Sequence, residues 1–155
     1  MRNRIFIAAI IGATVQTTAA QADIRPLTGL WQGGAQLTGH SGCPPEMAAS
    51  APSDMGYAPR RIEFPDVFDG SAIPGDFTWV RVAENHWRAQ QTQNRPTPMG
   101  ALRMSFTHNL HVDSEIDLRQ LSTVNVSLPQ AMAQMLGTGA DCTLHSRVDH
   151  HRVGD

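Results

Sequence analysis

Gly29-Leu30-Trp31-Gln32-Gly33-Gly34-Ala35-Gln36-Leu37-Thr38-Gly39-His40-Ser41-Gly42-Cys43 is the stretch that decides how this chain folds. Trp31, Gly33, Ala35 and Leu37 alternate with Gln32, Gly34, Gln36 and Thr38. That period of two predicts a half-buried strand. Small residues at Gly33 and Ala35 signal close approach of something bulky, or a strong bend. A cysteine follows the strand, and the chain has one other, Cys142. Cys142 opens a second alternating run, in which Cys142, Leu144, Ser146 and Val148 share a face. If these two segments are antiparallel neighbours, the end of one meets the start of the other and the cysteines can bond. Setting Cys43 opposite Cys142 pairs odd residues with even ones. Trp31, Ala35 and Leu37 then lie on the same side as Leu144 and Val148, so two separately read patterns agree. The bridge would close a loop of about 100 residues, worth on the order of 4 to 5 kcal/mol in the chain-entropy picture.

Working outward, residues 1–22 read as a secretory signal. Arg2 and Arg4 form a basic start, residues 5–13 an apolar run too short to anchor, and Ala20-Gln21-Ala22 a small-residue cleavage site. Residues 23–155 then form a single β-rich domain, exported to the periplasm or secreted, in a compartment that favours a Cys43–Cys142 disulfide. No later stretch is long and apolar enough for a membrane helix. The whole chain carries a net charge of −2, and no basic patch points to nucleic acid.

Between the two cysteine segments, residues 39–59 read as a long loop rich in Gly and Pro, with Met47, Met55 and Tyr57 as a lid or a small cluster beneath it. Arg61 to Phe64 is a short strand, and residues 65–76 are mostly turn. Residues 77–82 and 86–91 form a hairpin, followed by a loop at 94–100. Leu102, Met104, Phe106, His108 and Leu110 line one face of the strongest strand. Ile116, Leu118, Gln120, Ser122, Val124 and Val126 line one face of its return. A short helix is expected near 128–136, capped by Ser127 with Gln130 and stopped by Gly137. Its stripe would be Leu128, Met132, Met135 and Leu136. The last strand runs from Cys142 to Val148 and then continues or frays. The sum is an all-β fold of about seven or eight strands, an antiparallel up-and-down barrel or a sandwich.

Gly29-Leu30-Trp31 resembles the Gly-x-Trp signature of lipocalin-like (calycin) barrels. The resemblance implies a tryptophan at the closed end of a barrel with an arginine of the last strand packed across it. In the register above, Arg152 falls near Gly33, two positions from the partner of Trp31, so Trp31 and Arg152 form the expected barrel-closing pair. Small periplasmic protease-inhibitor barrels are similar in size.

The polar residues on inward faces are where chemistry could reside. His108, Gln120 and Ser122 fall on adjacent strands of one hairpin, and buried polar groups need partners. They either satisfy one another in the core or line a cavity and orient a ligand. No nucleophile elbow or oxyanion signature surrounds Ser122, so a non-enzymatic role is expected. His145, Asp149 and His151 share the outer face of the last strand and make a weak zinc candidate; no cofactor is called for. His150 points inward with Val148. The first functional expectation is an exported module holding a small apolar molecule. The alternatives are an inhibitor-type or other envelope protein that binds another protein around a solid core, and a weak zinc binder.

Overall fold

A computed structural model describes residues 23–50 and 55–155; the expected signal over 1–22 lies outside the described residues. The chain is mostly β. In chain order it runs β1 (Gly29–Ser41), α1 (Pro45–Ser50), β2 (Met55–Gly56), β3 (Arg60–Ile62), β4 (Val80–Ala83), β5 (His86–Thr97), β6 (Gly100–Val112), β7 (Asp117–Ser127), α2 (Gln130–Leu136) and β8 (Asp141–Gly154). All strand pairs are antiparallel, in the order β2-β1-β8-β7-β6-β5-β4, with β3 beside β2 along the same edge of β1. First and last long strands are therefore lateral partners, as the two alternating patterns required. The sheet is barrel-like but not closed: β3 and β4 are not paired with each other.

From Trp31 to Leu37 the β1–β8 register keeps the expected parity but is slid by two residues; from Gly39 to Ser41 it is slid by one. Trp31 faces Arg152, Gly33 faces His150 and Ala35 faces Val148. The irregularity between Leu37 and Gly39 takes up one residue of the difference on the way to the cysteines, which meet with Cα atoms 4.4 Å apart in a disulfide; the irregularity between Leu30 and Trp31 lies at the opposite end of β1. A slide of two leaves every side chain on its face, which is why the apolar pattern alone could not see it.

Four expectations along the chain are corrected. The segment 39–59 is not one loop: it finishes β1, carries α1 and supplies β2. The expected 94–100 loop is narrower, because β5 extends to Thr97 and β6 starts at Gly100. Pro96 is accommodated because β4 reaches only as far as Arg88 on β5, and from residue 89 onward β5 is an edge strand. In α2 the cap position falls on Pro129 and not on Ser127, whose hydroxyl donates instead to Asp141 Oδ1 at 2.9 Å. Gly137 does stop the helix in a left-handed conformation (φ 65°). The buried residue of α2 is Ala133; Met135 stays 67% exposed, so the expected stripe holds only at Leu128 and Met132. Of the two courses left open for β8 after Val148, continuation is the one taken: it pairs with both neighbours almost to its end.

Two apolar clusters fill the concave side. One joins Trp31, Ile62, Trp87, Leu110, Val112 and Leu118 from the strands to Phe64, Phe68 and Ile73 from the segment between β3 and β4. That segment, expected to be mere turn, is laid across the inside of the sheet. Trp31, Phe64, Phe68 and Trp87 make successive edge contacts at 5.4, 5.7 and 4.7 Å, a row of rings that links β1 to β5. The second cluster, at the other end, packs Val126, Leu128, Ala133 and Cys142 with Cys43, Met47, Leu102, Met104 and Met132 under the two helices.

Candidate functional site: an internal cavity beside a buried polar group

The strand pairing brings His108, Gln120 and Ser122 together as expected. His108 faces Ser122 across β6 and β7, and Gln120 is two residues along on the same face. His108 Nδ1 lies 2.8 Å from Ser122 Oγ and 3.2 Å from Gln120 Nε2. A neutral imidazole can make these contacts, the Ser122 hydroxyl donating to Nδ1 or accepting from it and the Gln120 amide N–H donating where Nδ1 carries no proton. Burial pushes the His108 pKa down, which favours the same neutral form. Phe77 packs on the imidazole at 4.3 Å between ring centroids. His108 and Ser122 thus satisfy each other, and neither lines the cavity. Only Gln120 does both.

The cavity has a volume of about 530 Å³ and opens to solvent. Its floor is the inner face of β1, β7 and β8, with Trp31, Gly33, Gln120, Val148 and His150. Ile73, Pro74 and Phe77 from the inlaid segment form one wall, and Tyr57, Ala58 and Arg60 around β3 form the other. Gly33 keeps this space open. A Cβ there would lie 3.0 Å from His150 Nδ1 and 3.2 Å from Tyr57 Cδ2. The bulky groups anticipated beside Gly33 are therefore His150 and Tyr57. A backbone bond from Tyr57 N–H to Gly33 O at 2.7 Å fixes the second of them. Burial lowers the His150 pKa, and the nearby Arg60 charge lowers it further.

Trp31 and Arg152 face each other directly. Trp31 Nε1 donates to Leu27 O at 3.0 Å, and Arg152 Nε donates to Thr28 O at 3.1 Å. The guanidinium lies against Gly29, where a Cβ would come within 2.6 Å of Arg152 Nε. Both side chains hold the segment entering β1 against the end of β8.

The three outer-face residues named for zinc are engaged elsewhere. His151 Nδ1 contacts Asp117 Oδ1 at 2.6 Å, Asp149 pairs with Arg147 at 2.8 Å, and His145 Nδ1 contacts Thr123 Oγ1 at 3.2 Å. At strand rise, His145 is about 13 Å from Asp149 along β8. No group of three or more His, Cys, Asp or Glu residues is placed to hold a metal ion among the described residues. No described helix is long and apolar enough to cross a membrane.

Arg60 and the 73–77 wall were not among the expected site residues, whereas Tyr57 is one of the three residues expected as a lid. β3 is three residues long, too short to carry a period, and residues 73–77 lie in no strand. Fold and site together define a disulfide-linked antiparallel β protein with one wall of its interior left open. Beyond that class the comparisons add nothing: no family model, no curated protein and no solved structure matches this chain.

Proposed function

We propose that the protein is an exported binding module that holds a small, largely apolar molecule in the cavity beneath β3. The supporting observation is the cavity itself: about 530 Å³, walled by Trp31, Ile73, Phe77 and Val148, with a few convergent polar groups. Small-molecule sites have this size and this mix of surfaces. The disulfide is compatible with export. The facing Trp31 and Arg152 support a lipocalin-like arrangement of the chain ends. Native mass spectrometry of protein purified from its own host tests the proposal. A small molecule retained under native conditions and lost on denaturation is the expected result. A bare chain that also fails to enhance the fluorescence of an apolar dye overturns it.

A second reading is a protein-binding or inhibitor-type envelope protein with a solid core. The ring row from Trp31 to Trp87, which fills the other half of the interior, favours it. The same spectrum separates the two, because a solid core retains no small molecule.

A further inference from the structure

We infer that the cavity takes a small molecule bearing one carboxylate, held between the Arg60 guanidinium and the His150 imidazole. This rests on the cavity reading above and adds the chemical class of the ligand. Arg60 faces Trp31 from β3, and His150 faces Gly33 from β8. Both therefore stand on the inner side of β1, two residues apart along it. No Asp or Glu lines the cavity. Among the described residues, neither the Arg60 side chain nor the His150 side chain has a hydrogen-bond or ion-pair partner. Two basic groups beside apolar surface with no counter-charge form a site for an anion, and a planar guanidinium fork matches two carboxylate oxygens.

The surroundings of His150 leave that role open. From β1 it meets Trp31, Gly33 and Ala35, and from β7 Leu118 and Gln120, none of them charged. Tyr57 lies across Gly33 and Arg60 approaches from β3. On its own strand, Asp149 is turned outward and paired with Arg147, and Arg152 is tied to Thr28 O and Asp155. Burial and Arg60 hold the free imidazole neutral at pH 7. A bound carboxylate favours the imidazolium, so binding draws in a proton.

The probes are decanoate and decanol, titrated by calorimetry with intrinsic tryptophan fluorescence, to which Trp31 in the cavity contributes, as a second readout. Decanoate binds more tightly than decanol, and its affinity rises as pH falls from about 8 to about 6 while that of decanol stays flat. Arg60→Gln weakens decanoate roughly tenfold or more and leaves decanol within about twofold. Arg60 is exposed, so this variant keeps the packing intact. His150→Gln removes the pH dependence. Equal binding of the two probes, unchanged by Arg60→Gln, overturns the carboxylate assignment and leaves the cavity reading standing. Binding of neither probe removes the cavity reading and this inference with it.

Discussion

At one end of the sheet Trp31, Phe64, Phe68 and Trp87 stack edge to face beneath β1, β3 and β5; at the other, two short helices and a disulfide close over valines and methionines. The first end is held by shape. Its rings are almost wholly buried, and each touches the next. The second end has little to bury. Helices α1 and α2 have six and seven residues, far below the length at which a helix persists alone. Met132 and Met104 are only partly buried. A covalent tie between β1 and β8 supplies there what packing supplies at the aromatic end. The contrast teaches that one small sheet can be secured in two ways, and that the open cavity lies against the aromatic one, with Trp31 and Ile73 belonging to both.

The largest effect expected is at the tied end. Replacing both cysteines, Cys43→Ser with Cys142→Ser, lowers stability by about 4 to 5 kcal/mol in urea unfolding. Hydrogen exchange should then quicken in α2 and at the start of β8 before it does around Leu110. Uniform quickening would erase the distinction between the ends. Phe68→Ala comes next, at about 3 to 5 kcal/mol, because it opens the ring row at its centre. A loss under about 1 kcal/mol would mean that the aromatic end is not close-packed.

The smallest effect falls between the ends. Ser122→Ala removes the nearer of the two groups on His108 Nδ1 and leaves it the Gln120 amide, at a cost of about 1 kcal/mol. The same histidine shapes the acid limb of stability. Its folded pKa lies below the ordinary 6.5, so the unfolded chain takes up protons first as pH drops. Stability is full above pH 6.5 and declines as pH falls below it towards the folded value; His111 and His150 shift in the same direction. His108→Gln should make that decline shallower in denaturant midpoints measured from about pH 8 to about pH 5.

What the sequence discloses depends on whether the signal is periodic. The β1–β8 pairing, the faces of β6 and β7, and the grouping of His108, Gln120 and Ser122 all follow from alternation over long strands. The slid register does not, because an irregularity at Leu37–Gly39 leaves no mark in the side-chain pattern. Helix α1 escaped because Pro44-Pro45 reads as a break, although proline is tolerated in a first helical turn. Phe68 and Ile73 fall in a stretch that reads as turn, with Phe64 and Phe77 at the ends of expected strands on either side, yet all four lie in no strand and face the interior. The cavity was legible through Gly33, Gln120 and His150, and through Tyr57 as a lid residue. Arg60 reaches it through a contact with β1 that no local pattern encodes.

The length of β5 that runs on past β4 bears on how this protein behaves in a crowd. A bare backbone margin invites a second chain to add itself as a further strand. Here the margin carries Gln90, Gln91, Thr92, Gln93, Asn94 and Arg95, all exposed, and then Pro96, which has no N–H to offer. Only Arg95 and Pro96, at its far end, oppose added pairing; the neutral Gln and Asn side chains before them can ladder with those of another strand. The unfinished ring of strands therefore leaves a second copy a margin to join, interrupted where Pro96 breaks the row of backbone donors.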